Sequence, residues 1–156
     1  MNSLYNFTLL VHSWNRWIIL LAGLAVIILA IKGLAGKGQF ASVHRKSSLI
    51  FISSLHLQLL IGLLLYFVLS PFTIQALGDF GAAMKDSTMR YWAVEHSVVN
   101  ILAIAIAQVG SILAKRKTTD QAKFKTTLIW TAVAYILILA MIPMGMMGEA
   151  RPWFRF

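Results

Sequence analysis

Four runs of about 20 mainly apolar residues, separated by polar connections, limit what this chain can fold into more than any other feature. They cover residues 9–31, 49–69, 92–113 and 127–147, and no charge interrupts 17–31. Each run is long enough to cross a hydrocarbon core as an α-helix, the one open-ended structure that pairs its own backbone groups there. Hydrophobic residues make up 59% of the 156 residues and charged residues only 12%, against roughly 25% charged in an ordinary globular protein. That composition excludes a soluble enzyme and a disordered tail. The formal charge of +9 sits in short clusters beside the apolar runs, which points to a membrane surface and not to a nucleic acid. The chain has no cysteine, so disulfides, thiolate zinc sites, iron–sulfur clusters, covalent haem attachment and cysteine nucleophiles are excluded together.

The connections are short except for residues 71–90, so consecutive spans are expected to run antiparallel. The fold class is all-α: an up-down-up-down transmembrane four-helix bundle forming one integral membrane domain over 1–156. Residues 1–11 lack a basic n-region and no small-residue cleavage site follows, so the first span reads as mature structure and not as a signal peptide. Lys32, Lys37, Arg45 and Lys46 in the first loop and Lys115, Arg116, Lys117, Lys123 and Lys125 in the third place nine of the fourteen cations on one side. The expected orientation has loops one and three cytoplasmic and both termini outside, in a multi-pass membrane protein. Trp14, Trp17, Tyr91, Trp92 and Trp153 fall near the outer ends, as an aromatic belt does. The two helix hairpins share only His12-Ser13 and His96-Ser97, too little for a repeat.

Ionisable groups inside a span are costly and each asks for a partner or a function. The candidates are His12, Arg16, His56, Glu95 and His96. At ~1.5 Å per residue, His12 lies ~30 Å above the cytoplasmic edge, His96 ~27 Å and His56 ~14 Å. His12 and His96 are therefore level on the first and third spans. His96, Asn100, Ala103 and Ala107 form a small, polar stripe, and His12, Arg16, Ile19 and Gly23 share one face of the first span. The stripe Ser54, Gln58, Gly62 and Tyr66 reads as the interior face of the second, which turns His56 outward. One reading makes His12 and His96 the axial ligands of a haem b. Arg16 then either pairs with Glu95 or serves a haem propionate, while Arg90 and Arg151 are better placed for propionates. The other reading is interfacial: His12 bonded to backbone and Arg16 paired with Glu95 at the headgroups. His44 beside Arg45 and Lys46 reads as a solvated histidine, and Pro143 as a kink or an end of the fourth span. The cluster Met141, Met144, Met146 and Met147 reads as filler more than as a thioether ligand. The loop through Met84-Lys85-Asp86 to Arg90 reads as a polar cover over the pocket. No nucleotide or hydrolase motif is present.

His12-Ser13-x-x-Arg16-Trp17, Gln58-Leu-Leu-x-Gly62, Phe80-Gly81-x-x-Met84-Lys85-Asp86, Arg90, Glu95-His96 and Arg151-Pro152-Trp153 follow one another in an order that covers nearly the whole chain. In that order they resemble a family of small four-span bacterial integral membrane proteins labelled cytochrome b. The resemblance implies His12 and His96 as haem ligands. It also implies a single haem, because Gln108 stands where relatives can carry a histidine. The function expected is membrane-embedded electron transfer through one b-type haem near the outer face, exchanging electrons with quinol or a respiratory redox partner. The alternative is a non-catalytic membrane subunit or small-ligand binder of a larger complex, without haem.

Overall fold

A computed structural model of the protein describes residues 2–143 and 153–155. It contains four helices long and apolar enough to cross a membrane: Ser3–Ala35, Ser42–Leu69, Ser87–Lys115 and Asp120–Ala140. The elements in chain order are α1 (Asn2–Ala35), α2 (Ser42–Leu64) running into a π-helical turn (Leu65–Leu69), the short helices α3 (Pro71–Gly78), α4 (Phe80–Ala83) and α5 (Ser87–Arg90), a second π turn (Tyr91–Glu95), α6 (His96–Lys115) and α7 (Asp120–Ala140). The fourth span ends at Ala140, seven residues short of the expected 147, and Pro143 supplies the reason: a helix rarely continues past the residue before a proline. Met144, Met146 and Met147 lie outside the described residues.

Cross-helix contacts show the antiparallel arrangement directly. Along α1, Asn15 meets Ser54 and Gly23 meets Phe51, so rising numbers on one helix meet falling numbers on the other. Leu20 meets Tyr135 and Gly33 meets Gln121, and His96 meets Met141 while Gly110 meets Trp130. Three of the seams pack closely: first with second span, first with fourth, third with fourth. The seam between second and third is the loosest.

Why these helices approach so closely is written in their small residues. Ala103, Ala107, Gly110 and Ala114 are all buried and recur along one face of α6. That face lets the backbone come up against α7, where Ala134 is fully covered. Outside this narrow core the apolar side chains point away from the protein. Leu21, Leu60 and Ile136 are each about two-thirds exposed, a surface that is stable against lipid and not against water.

The ends are closed by local chemistry. At the basic end α1 stops in a Gly36-Lys37-Gly38 turn, with Lys37 at φ 49 and the Gly38 amide donating to the Gly33 carbonyl at 3.0 Å. Thr119 caps α7, and Asp120 pairs with Lys123 at 3.0 Å. At the opposite end the carboxylates of Asp79 and Asp86 accept from the Ala82 and Met89 amides, capping α4 and α5. Two of the chain's five acids are thus committed to capping the connection.

An added Cβ at Gly110 lands on Trp130 Cβ, whereas one at Gly78 meets nothing within 4 Å. Gly110→Ala is expected to destabilise the bundle by about 1–3 kcal/mol, the usual cost of overpacking a tight contact. Gly78→Ala serves as the near-neutral control, and the unfolding midpoint of each variant in detergent checks the difference.

Candidate functional site

Helix α1 brings His12, Asn15 and Arg16, polar residues of its N-terminal half, into one region of the bundle. Asn15, buried, donates through Nδ2 to the Ser54 carbonyl at 2.9 Å and to Gln58 Oε1 at 2.7 Å. Gln58 returns a bond from Nε2 to the His12 carbonyl at 3.0 Å. This network locks the height and rotation of His12 against α2 without using the imidazole. The imidazole lies beside Gly62, where an added Cβ would sit 3.6 Å from Cε1. Its Nδ1 is buried and has no hydrogen-bond partner among the described residues.

His96 is held differently. Its Nδ1 bonds to the Met141 carbonyl at 3.1 Å. A carbonyl oxygen only accepts, so Nδ1 carries the proton in that bond and Nε2 keeps its lone pair. The same oxygen accepts from Tyr91 Oη at 2.7 Å. Met141 offers it because α7 has just ended, and a terminal carbonyl without an intrahelical partner needs a donor. Asn100, one turn on, donates to the His96 carbonyl at 2.7 Å.

The two imidazoles meet with ring centres 6.4 Å apart and planes 52° apart. An imidazole–metal bond of about 2.0–2.1 Å plus the ~1.15 Å from nitrogen to ring centre gives ~6.4 Å for two rings facing across one metal ion. The observed spacing fits that arrangement. So does the fixing of His96 Nδ1 by a backbone carbonyl, the usual companion of a metal-binding imidazole. Among the described residues no group of three or more His, Cys, Asp or Glu comes together. Any further ligand to a metal held by this pair would therefore come from something other than a His, Cys, Asp or Glu side chain of the described residues.

A cavity of about 400 Å³ surrounds the pair. Its lining is mainly apolar, with His12, Arg16, Gln58, Tyr66, His96 and Asn100 as polar groups among aliphatic and aromatic walls. That volume and character belong to the cofactor-pocket class. Both π turns border it: Tyr66 from one donates its hydroxyl to the Ala93 carbonyl in the other, at 2.8 Å. Such turns shift helical register and expose carbonyls, and they concentrate at functional sites.

Several expected partners are elsewhere. Arg16 does line the cavity, but it does not pair with Glu95: its guanidinium donates to the Trp153 carbonyl, and its Nε is buried with no partner among the described residues. Residues 153–155 fold back over α1 at Trp14–Trp17, where Trp14 Nε1 donates to the Arg155 carbonyl at 3.0 Å and Trp17 stacks on Phe154 at 4.9 Å. Glu95 instead pairs with Arg90 at 2.8 Å, and Arg90 also donates to the Met84 carbonyl. Arg90 is thereby turned from the cavity, while Arg155 lines it. Arg151 lies outside the described residues. His56 is exposed on the outer face of α2. His44 is more than a solvated histidine: its Nδ1 accepts from the Ala41 amide at 3.0 Å and its ring packs edge-on against Phe124 at 4.8 Å.

The features that sequence reasoning missed are the Met141 carbonyl, Asn15 and the return of 153–155. Only Pro143 signals the first, by ending the helix that would otherwise use that carbonyl. Comparison with protein-family models, with curated proteins and with solved structures returns no match for this chain.

The ion-pair assignment has a direct check. Arg90 and Glu95 are each 43% exposed, so their coupling in a double-mutant cycle is expected to be modest, about 0.5–1 kcal/mol. Arg16 and Glu95 should behave additively in the same unfolding measurement. Coupling in the Arg16 cycle without coupling in the Arg90 cycle would reverse the assignment.

Proposed function

We propose that this is a membrane-embedded electron-transfer protein that holds one b-type haem between His12 and His96, near the outer face of a bacterial inner membrane. The observation that carries the reading is the 6.4 Å spacing of the two imidazoles inside a cofactor-sized cavity. The resemblance to four-span cytochrome b-like proteins supports the same pair. When bound, the haem supplies reversible one-electron chemistry at iron, and quinol or a respiratory redox protein is its exchange partner. The chain's own part is positional. His96 presents Nε2 because Met141 holds Nδ1. Gln58 and Asn15 fix the height of His12 through backbone and amide bonds that need no change on ligation. Arg16 and Arg155 supply guanidinium groups for carboxylates at the rim, a role planar bidentate donors fill better than ammonium groups. The mainly apolar walls lower the local dielectric, which puts the potential under the protein's control.

The proposed orientation puts both termini and the histidine end outside, because the exposed cations of loops one and three gather at the other end. Single cysteines at Ser42 and Thr119 are expected to label only from the cytoplasmic side and one at Gln75 only from outside. Labelling of Ser42→Cys by an impermeant reagent in intact cells would invert the topology.

The second reading, a haem-free subunit or small-ligand binder, draws on the polar groups that already satisfy one another around the cavity. The absorbance of the purified protein separates the two. A reducible Soret band with sharp α and β bands is expected, lost or converted to high-spin in His12→Ala and in His96→Ala. It should persist in His56→Ala and His44→Ala, whose rings lie outside the cavity lining. A colourless, metal-free preparation leaves the second reading. A spectrum that survives His12→Ala and fails with His56→Ala would remove the pairing.

A further inference from the structure

The cavity does not end at protein on every side. Leu63 and Phe67 of the second span and Val98 and Ile101 of the third belong to its lining, yet they are 38%, 63%, 57% and 47% exposed. A side chain that both lines a cavity and faces outward marks a mouth, and these four lie on either side of the loosest seam in the bundle. The height of that mouth decides what it opens onto. Ile101 is the middle residue of the span Ser87–Lys115, and Val98 is one turn from it. A hydrocarbon core of ~30 Å takes up about 20 helical residues, so this side of the mouth lies within lipid and not in water.

The sequence alternates in polarity at the mouth. Phe67 follows half-buried Tyr66, Val98 follows half-buried Ser97, and Ile101 follows half-buried Asn100. Successive helical residues point about 100° apart, so in each pair the apolar member meets lipid while the polar member faces the cavity. A ligand suited to this gap carries an apolar tail that stays in the bilayer. Its head is a small ring that hydrogen-bonds and packs on aromatic walls. A phospholipid fits poorly, because its phosphate belongs at the interface, above the level of Ile101. We infer that the cavity is entered sideways from the bilayer, between Leu63/Phe67 and Val98/Ile101, and that this mouth is the docking site of a membrane-dissolved, quinone-class molecule. The inference deepens the electron-transfer reading, on which the identity of the ligand rests, by placing the exchange partner in the membrane plane and not in the aqueous phase.

Photolabelling tests it on the full chain in proteoliposomes. The probe is a short-tailed azidoquinone, competed by unlabelled decylquinone and mapped by peptide mass spectrometry. Labelling is expected on the segments bearing Leu63–Phe67 and Val98–Ile101, and it should be saturable. Val98→Trp and Ile101→Trp fill the mouth at exposed apolar positions that the fold tolerates, and each should cut saturable labelling about tenfold, ~1.4 kcal/mol of binding. Leu60→Trp, 66% exposed and outside the lining, should leave it unchanged. Labelling that is unsaturable, spread over all lipid-facing positions or indifferent to the two mouth variants overturns the inference. The absorbance spectrum of the same preparation keeps the two ideas apart. A colourless protein with saturable labelling loses the haem reading and keeps the mouth. A coloured protein without saturable labelling does the reverse.

Discussion

Inside a bilayer a peptide group has no water to fall back on, and each unpaired amide or carbonyl costs several kcal/mol. The rest of this structure depends on that constraint. It requires every span to be helical throughout, and it lets regular geometry break only where another part of the protein supplies the missing partner. The breaks gather at one end. The two π turns at Leu65–Leu69 and Tyr91–Glu95 are tied by Tyr66, whose hydroxyl serves the Ala93 carbonyl. The end of α7 is tied by Tyr91 and His96, which both donate to Met141. The basic end, by contrast, closes with an ordinary glycine-flanked turn and a threonine cap.

The same economy positions the candidate site. A helix that ran on past Met141 would satisfy the carbonyl itself and leave His96 to choose its tautomer by other means. Pro143 prevents that, so a backbone defect becomes the donor-acceptor pair that orients an imidazole. On the opposite wall the order is reversed. The side chains of Asn15 and Gln58 satisfy the Ser54 and His12 carbonyls, and the ring of His12 stays uncommitted. One histidine is oriented through its ring and the other through its backbone.

Much of this was legible in the sequence because it follows from periodicity and length. The four spans, the level heights of His12 and His96, the interior stripe of Gln58, Gly62 and Tyr66, and the outward face of His56 all come from residues per turn and rise per residue. What was not legible depends on tertiary returns. The partner of Arg16 is a carbonyl well over a hundred residues away, and no local pattern announces that 153–155 folds over α1. Nor does spacing distinguish Arg16 from Arg90 as the partner of Glu95. Arg16 stands at a similar expected depth on another span and Arg90 a short way back on the same one, and the folded chain pairs Glu95 with Arg90. His44 was underestimated for a related reason: its neighbours in sequence are charged, but Phe124 reaches it from another helix.

Charge around the cavity bears on what the site can hold. Among the described residues its lining includes the guanidinium groups of Arg16 and Arg155 and no carboxylate. Four acids of the described residues are engaged elsewhere: Glu95 on Arg90, Asp79 and Asp86 on helix N-termini, and Asp120 with Lys123 at the far end. Guanidinium groups in the lining suit an occupant that presents carboxylates to them, because their planar donors match carboxylate geometry. A b-type haem does so with two propionates, while its neutral macrocycle suits the apolar walls between the histidines. A neutral quinone-class ligand makes no such demand, which fits its proposed placement among the apolar side chains at the seam between the second and third spans. The polarity of the cavity thus divides its two proposed occupants by position: anionic groups at the guanidinium rim, an uncharged ring at the lipid-facing mouth.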